Sequence, residues 1–194
     1  MSHKLVCLLG ASASGKDSIM RVLVKEYGFK PVISTTTRPI RSNETQGKDY
    51  YFVNDNLFNW MLENDKLIEH RTYNTIQDGK SAVWQYGITK SEINLSEGNH
   101  VVVCDLKGLE DLTKYFGKEN IISIFIAASE NSRRLRAIAR DEKFEEKEWQ
   151  RRKENDDKIF ENVAQKVDYW IENDRFHFCV DDLVVFLKNN LTSI

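Results

Sequence analysis

The chain has 194 residues, of which 41% are hydrophobic and 30% are charged, an ordinary composition for a globular protein. This length allows one hydrophobic core with a small inserted subdomain. The 28 Lys and Arg residues nearly balance the 30 Asp and Glu residues, and the net charge of −2 gives no general footprint for nucleic acid or anionic membrane. No apolar run approaches the length of a membrane span.

The N-terminus and the cysteines bear on the compartment. Residues 1–4 lead directly into an apolar run, which leaves no room for a secretory signal peptide. The three cysteines are an odd number, and their spacing matches no metal site. We therefore expect free thiols in a reducing cytosol, and no nucleic acid or membrane partner.

The segment from residue 5 to residue 24 has the order strand, loop, helix. Residues 5–9 are apolar and predict a buried strand, and the apolar stripe within residues 19–24 predicts a helix. Between them, Gly10 and Gly15-Lys16 have the G-x-x-x-x-G-K spacing of a phosphate-binding P-loop. The loop amides and the helix N-terminus suit phosphate oxygens, and the lysine supplies a full charge. A chance glycine loop would not combine all four features.

One position departs from this motif. The residue after the lysine is usually Ser or Thr, whose hydroxyl binds Mg²⁺, but here Asp17 precedes Ser18. Asp17 leaves open a degenerate P-loop that no longer binds nucleotide.

The first helix is predicted to span residues 16–27 and to end at Gly28. Residues 34–89 are predicted to form a mixed-β insertion. Its expected parts are strands at 48–53 and 67–70, a short helix capped by Asn54 or Asp55, an irregular polar segment at 72–85 around Asp78-Gly79, and a strand near 84–88.

The core is predicted to resume after the insertion. Its expected parts are a helix at 90–95, a strand at 100–105, a helix at 106–116, a strand at 120–127, a charged helical stretch at 130–167 broken near 141–144, a strand at 169–171 and a final helix capped by Asp181 or Asp182. Apolar strands that alternate with helices predict a parallel sheet with helices on both faces.

Several residues of the insertion suit an anionic acceptor. Arg38 and Arg41 lie beside a Ser/Thr run, and guanidinium groups bind phosphate bidentately. Tyr50 adds a hydroxyl, and Glu69 stands at a strand end. Taken alone, the two arginines are better explained as solvated loop charges, and Glu69 can equally be an ordinary exposed acid.

The order of these residues resembles the guanylate kinase family. The resemblance rests on S-T-T-T-R-P-I-R at 34–41, G-K-D-Y-Y-F at 47–52, L-I-E-H at 67–70, Y-G at 86–87, D-L-K-G at 105–108 and N-D at 173–174. It runs from about Leu5 to Leu187. It implies an α/β fold with a P-loop NTPase-type parallel sheet, a mixed-β GMP-binding insertion and a helical lid. The expected boundaries are 1–33, 90–129 and 168–194 for the core, 34–89 for the insertion, and 130–167 for the lid and following helix.

The resemblance also implies a role for each matching position. The residues expected to bind ATP and Mg²⁺ are Gly10, Ala11, Ser12, Ala13, Ser14, Gly15, Lys16, Asp17 and Ser18, with the last two at the metal. The residues expected to bind GMP are Ser34, Arg38, Arg41, Tyr50, Glu69, Tyr86 and Asp105. The residues expected to act in catalysis are Lys16, Arg38, Arg134, Arg140 and Arg151.

The lid has its own sequence signal. Arg133, Arg136 and Arg140 fall on one helical face, within a stretch that is rich in both signs of charge. Such stretches are usually solvated helices with many salt bridges. In a P-loop kinase, arginines on a closing helix stabilise the charge of the transferring phosphoryl group, which favours a lid role for some of Arg134, Arg140 and Arg151 without ranking them.

The predicted reaction is Mg²⁺-assisted transfer of the γ-phosphate of ATP to GMP or dGMP. Two alternatives remain: a kinase of the same fold with another phosphorylated acceptor, and a binding module that has lost catalysis. Glu69 argues against the first, whereas Asp17 and Ile88, which replaces a family hydroxyl, argue for it. The 72–85 segment is also longer than is usual in the family. Intact Gly15 and Lys16 argue against the second.

Overall fold

A computed structural model describes residues 3–41, 44–77, 80–140 and 144–191. The chain divides into two compact units: Met1–Pro31 with Leu95–Ile194 forms the first, and Val32–Asn94 forms the second. No helix within the described ranges is long and apolar enough to cross a membrane.

The strands, numbered along the described chain, are β1 (Leu5–Leu9), β2 (Lys30–Pro31), β3 (Thr35–Thr36), β4 (Tyr51–Phe52), β5 (Leu67–Gln77), β6 (Lys80–Thr89), β7 (His100–Val103), β8 (Ile121–Ala127) and β9 (Tyr169–Glu172). The α-helices are α1 (Lys16–Tyr27), α2 (Asp55–Glu63), α3 (Leu106–Phe116), α4 (Glu130–Arg140), α5 (Glu146–Ile159) and α6 (Phe176–Asn190).

The first unit is built on a parallel sheet. Its strand order is β2-β7-β1-β8-β9, and every neighbouring pair runs parallel. All five residues of the central strand β1 are fully buried, which explains why its sequence is continuously apolar and does not alternate. Ile19 and Leu23 of α1 and Leu183 and Leu187 of α6 join the same core.

The second unit contains a mixed sheet with the order β4-β3-β6-β5. The pair β3–β4 is parallel, whereas β6 pairs antiparallel with both β3 and β5. Helix α2 begins after Asn54, whose side chain accepts a hydrogen bond from the amide of Leu57 at 2.9 Å. Phe58 of this helix is fully buried. The predicted α/β class, with a parallel central sheet and a second mixed sheet, is therefore confirmed.

Several predicted elements were wrong. The segment 72–85 is not irregular where it is described, because β5 and β6 form a long antiparallel ladder that pairs Leu67 with Thr89 and Gln77 with Lys80. The backbone hydrogen bonds of such a ladder do not require apolar side chains. The polar sequence therefore gave no signal for this part of the two strands. The expected turn at Asp78-Gly79 lies outside the described residues.

Three other boundaries differ from prediction. The expected strand 48–53 is only Tyr51–Phe52, and the expected helix 90–95 is a 3₁₀ turn at Lys90–Glu92. The last helix begins at Phe176, and Asp181 and Asp182 lie inside it instead of capping it. The charged stretch forms α4 and α5 with non-helical residues at 144–145, and the predicted break at 141–143 lies outside the described residues.

Candidate active site

The loop between β1 and α1 has the backbone of a tight anion-binding turn. Gly10 has φ 151°, Ala13 has φ 60° and Gly15 has φ 99°, all in the region that side chains disfavour. A Cβ atom at Gly15 would collide with the side-chain amide of Asn173, and one at Gly10 would collide with the carbonyl oxygen of Ile126. The two glycines of the motif are therefore required by both conformation and space.

Lys16 folds back over this loop. Its Nζ atom donates to the carbonyl oxygens of Gly10 at 2.8 Å and Ala11 at 3.0 Å. Burial lowers the pKa of Lys16, while the nearby carboxylates of Asp17 and Asp156 act in the opposite direction. The ammonium group is held at the mouth of the loop, where a phosphate would accept its hydrogen bonds.

Two residues outside the predicted site hold the loop in place. The side-chain amide of Asn173 donates to the carbonyl oxygen of Ser14 at 2.7 Å. Arg136 donates to the same oxygen at 3.1 Å and also to the carbonyl of Asn173. The helical spacing had placed Arg136 on one face with Arg133, and the N-D pair had drawn attention to Asn173, but neither signal indicated the loop as the partner.

A carboxylate lies on the loop as well. The amide of Ser12 donates to Oδ2 of Asp156, on α5, at 2.7 Å. Arg133, almost fully buried, lies 3.6 Å from the same oxygen and 5.6 Å from the ring of Trp149. Loop amides of this kind bind phosphate oxygens, so Asp156 occupies a position suited to an anion.

The two candidate metal ligands are exposed. Asp17 and Ser18 lie in the first turn of α1, directly after the phosphate loop. Within the described residues no group of three His, Cys, Asp or Glu side chains could hold a metal ion. Mg²⁺ usually keeps several waters and takes one or two carboxylates together with substrate phosphates. A single exposed carboxylate at this position fits such a site.

The three arginines predicted for the lid have different surroundings. Arg134 pairs with Glu146 at 2.6 Å and lies 5.6 Å from the ring of Phe144. Arg151 pairs with Glu148 at 2.7 Å, and hydrogen bonds from Arg151 and Arg152 lower the pKa of Glu148 to about 2. Arg140, at the end of α4, lies close enough to Lys16 to lower its pKa.

The second unit gathers most of the predicted acceptor residues, and Arg38 lies among them. Its side chain is 4% exposed, and the guanidinium pairs with Glu44 at 2.6 Å and donates to the carbonyl of Pro39. Burial alone would lower the pKa of Arg38, but Glu44 and the nearby Tyr86 raise it. The pKa of Glu44 is lowered in turn. Burial alone would raise this pKa, but hydrogen bonds from Arg38 and from the Arg41 amide outweigh that effect.

Aromatic rings surround this arginine. Its Cζ atom lies 5.4 Å from the ring centre of Tyr50 and 5.5 Å from that of Phe52. The rings of Tyr50 and Tyr86 are 5.9 Å apart in an edge-to-face arrangement. Ser34 lies beside β4 and accepts a backbone hydrogen bond from Tyr51, while the Arg41 side chain is exposed.

Glu69 and Asp105 have separate surroundings. Glu69, on β5, is buried, and its Oε2 atom lies 2.8 Å from Nη2 of Arg71. The structure places Asp105 in the first unit, where its Oδ1 atom accepts a hydrogen bond from the amide of Gly108 at 2.8 Å and caps α3. Arg71 was not predicted, since a charge two residues beyond Glu69 resembles any exposed strand residue.

A phosphate loop on a parallel sheet, with a second mixed sheet that carries arginine, tyrosine and glutamate, defines a P-loop enzyme of the nucleoside monophosphate kinase class. The model of the family "Guanylate kinase" matches residues 2–190. The chain therefore belongs to the guanylate kinase family.

Individual relatives agree with this assignment. The guanylate kinase of Mycoplasma mobile is 30% identical over 206 aligned positions that cover all of this chain and 97% of the relative. That of Caldanaerobacter subterraneus subsp. tengcongensis is 31% identical over 88% of this chain and 79% of the relative. A crystal structure of guanylate kinase from Anaplasma phagocytophilum has a TM-score of 0.66 at 21% identity, covering 100% of this chain and 89% of that one, which supports the fold.

Proposed function

We propose that the protein transfers the γ-phosphate of ATP to GMP or dGMP in a Mg²⁺-dependent reaction that yields ADP and GDP or dGDP. The observation that carries the proposal is the second unit, in which a buried carboxylate, Glu69, shares a sheet with Tyr86, next to Arg38 and Tyr50. The names of the similar enzymes agree with this acceptor.

The donor side of the reaction belongs to the first unit. Residues 10–18 would hold the phosphates of ATP, with backbone amides on the oxygens and Lys16 beside the transferring group. Residues 130–167 would act as the lid that closes over ATP, on a core of residues 1–33, 90–129 and 168–194. Arg134, Arg140 and Arg151 would neutralise charge that develops in the transition state.

Mg²⁺ would be held by Asp17 and Ser18 together with the phosphates. The ion supplies neutralisation of phosphate charge and a fixed geometry for the oxygens. Asp17 would orient it directly or through a water.

The acceptor would lie on residues 34–89. Arg38, Arg41, Tyr50 and Tyr86 would supply donors for the GMP phosphate, and a guanidinium group stays charged at any working pH. Glu69 would accept N1–H and N2–H of guanine, because an ionised carboxylate only accepts. Ser34 would contact the base, and Asp105 would lie near the active centre. Such chemistry depends on positioning and charge, since the protein forms no covalent bond.

A coupled assay of ADP release against GMP, dGMP, AMP, CMP and UMP tests this function. We expect turnover with the two guanine nucleotides only, because adenine offers Glu69 an acceptor nitrogen and a C–H where guanine offers two donors, a mismatch that discriminates by about 10⁴-fold. Glu69→Gln should lower kcat/KM for GMP by about 10-fold or more. Turnover with another monophosphate would indicate the other-acceptor kinase, and binding without turnover would indicate a module.

A further inference from the structure

A second charged side chain accompanies the carboxylate that is proposed to bind guanine. Arg71 follows Glu69 by two residues on β5, and the Nη2 and Oε2 atoms are 2.8 Å apart. The Glu69 side chain is 6% exposed and that of Arg71 is 15% exposed. A buried ion pair is weak evidence for a stabilising role, since the cost of desolvation offsets the attraction. The pair therefore requires another explanation.

The register of the hairpin places Arg71 beside the acceptor residues. Arg71 is opposite Tyr86, and Glu69 is opposite Ile88. Alternate residues of a strand share a face, so Glu69, Arg71 and Tyr73 lie on one side of β5. The ring of Tyr73 lies 5.5 Å from that of Tyr86, which in turn lies 5.9 Å from Tyr50. The arginine thus shares its sheet face with the tyrosines assigned to GMP.

The neighbouring position on β6 lacks a donor. Ile88 is 1% exposed and directly opposite Glu69, and its side chain is a hydrocarbon. The resemblance to the family predicts a hydroxyl here that contacts the base. A hydrogen-bond donor for the base must then come from another residue of the same face, and Arg71 is across from the adjacent position, Tyr86.

The charges of the pair match the edge of guanine. N1–H and the exocyclic amine are donors and suit a carboxylate, whereas O6 and N7 are acceptors and suit a guanidinium. A guanidinium has five N–H donors, more than one carboxylate can accept. One pair of side chains can therefore bind both halves of the same edge.

We propose that Arg71 is a specificity-determining residue, which donates to O6 of guanine while Glu69 accepts N1–H and N2–H. The inference rests on the proposed function, because it needs a guanine nucleotide as acceptor. It assigns a direct contact with the base to a residue that would otherwise only orient Glu69.

The test compares GMP with two analogues, each of which changes one group on the base. 6-Thio-GMP keeps N1–H and the amine of GMP but replaces O6 by sulfur, a weak acceptor, whereas IMP keeps O6 and lacks the amine. We expect the wild-type protein to prefer GMP over 6-thio-GMP by about 10-fold in kcat/KM, the scale of one charge-assisted hydrogen bond. Arg71→Met should reduce that preference to about 3-fold or less and leave the preference for GMP over IMP unchanged.

Two variants make the comparison specific. Thr72→Met changes the next residue, exposed on the opposite face of β5, and should leave both preferences unchanged. Arg71→Lys keeps the charge but loses the planar fork, and should retain part of the preference for GMP over 6-thio-GMP. This variant still tests the inference if Arg71→Met fails to fold.

The outcomes separate the two proposals. If GMP is a substrate but Arg71→Met and Arg71→Lys lower kcat/KM for GMP and 6-thio-GMP by equal factors, Arg71 only orients Glu69, and the inference is wrong while the proposed function stands. If the wild-type protein phosphorylates another monophosphate and not GMP, both are wrong.

Discussion

Lys16 is the residue whose role depends most directly on the geometry of the loop. Its ammonium group bonds to the carbonyls of Gly10 and Ala11, both within the loop that would hold phosphate. We expect Lys16→Met to lower turnover by about 100-fold or more, the scale for losing one donor to transition-state charge. Because the side chain is only partly buried, the melting temperature should barely change. Steady-state kinetics with a thermal melt provide the test, and unchanged turnover would remove Lys16 from the reaction.

Asp156 gives a prediction in the opposite direction. Its carboxylate accepts the Ser12 amide, which ATP phosphates would need, so the side chain competes with nucleotide. Asp156→Asn replaces a charged acceptor by a neutral one, a difference of about 1 kcal/mol, and should tighten binding of a non-hydrolysable ATP analogue about 5-fold. Inorganic triphosphate should show the same gain by isothermal titration calorimetry, since only the phosphates compete.

The adjacent residue is the control for that measurement. Asp157 lies on the same helix, is 55% exposed and pairs with Lys153 at 2.8 Å, away from the loop amide. Asp157→Asn removes the same charge and should leave nucleotide affinity unchanged. Weaker binding by Asp156→Asn would mean that the carboxylate assists the nucleotide instead of competing with it.

The sequence could predict the loop itself but not the residues that contact it. Gly10, Gly15 and Lys16 belong to one short motif, and their spacing alone predicts a phosphate-binding loop. By contrast, 122 residues separate Ser14 from Arg136 and 159 separate it from Asn173. Such contacts depend on how helices pack on the sheet, and local patterns do not encode that packing. For the same reason, the roles of Arg134, Arg140 and Arg151 stay predictions.

At the scale of elements, the strands and helices of the core follow from apolar patterns, whereas the hairpin of β5 and β6 does not. Helix α1 has the predicted bounds because Gly15 and Gly28 delimit an amphipathic run. The hairpin is rich in polar side chains, and its main-chain ladder holds it together. The contact between Arg71 and Glu69 was not predicted for the same reason, because the two side chains share a face only when the segment is a regular strand.

A carboxylate also connects two strands of the core. Asp168, just before β9, accepts hydrogen bonds from the amide and hydroxyl of Ser123 on β8 at 2.8 and 2.7 Å, and pairs with Lys118. Asp168→Ala would leave the buried hydroxyl of Ser123 without this acceptor, and should lower the free energy of unfolding by about 1–3 kcal/mol. Urea denaturation measures this change, and Asp181→Ala, which removes an exposed aspartate of α6, is the control.

The effect of Asp168 should depend on pH. Burial alone would raise its pKa, but hydrogen bonds from Lys118 and Ser123 lower it below the usual value. A carboxyl group with a lowered pKa in the folded state stabilises fully above its unfolded pKa of about 3.9, and this contribution is lost as pH falls from there through the folded pKa. The difference between wild type and Asp168→Ala should therefore shrink below about pH 4. A constant difference would indicate packing instead of charge.

At the scale of the whole molecule, the proposed reaction is divided between the two units. The phosphate loop belongs to the first unit, and six of the seven predicted GMP residues belong to the second, with Asp105 as the exception. The family could be predicted because its motifs are short contiguous segments distributed over nearly the whole chain. Asp105 shows the limit of such motifs. Its Oδ1 atom caps α3, and the sequence does not distinguish this structural role from the predicted role in GMP binding.

This division predicts separate responses to the two substrates in hydrogen exchange. A bound ligand slows local opening in the elements it contacts, so a non-hydrolysable ATP analogue should protect residues 10–18, and GMP should protect parts of residues 34–89. Lys16→Met should reduce only the first effect. Arg41→Ala, a change at an exposed side chain, should reduce only the second. If GMP protects only the first unit, or if Arg41→Ala leaves its protection intact, then the acceptor phosphate binds elsewhere and the assignment of residues 34–89 to GMP is wrong.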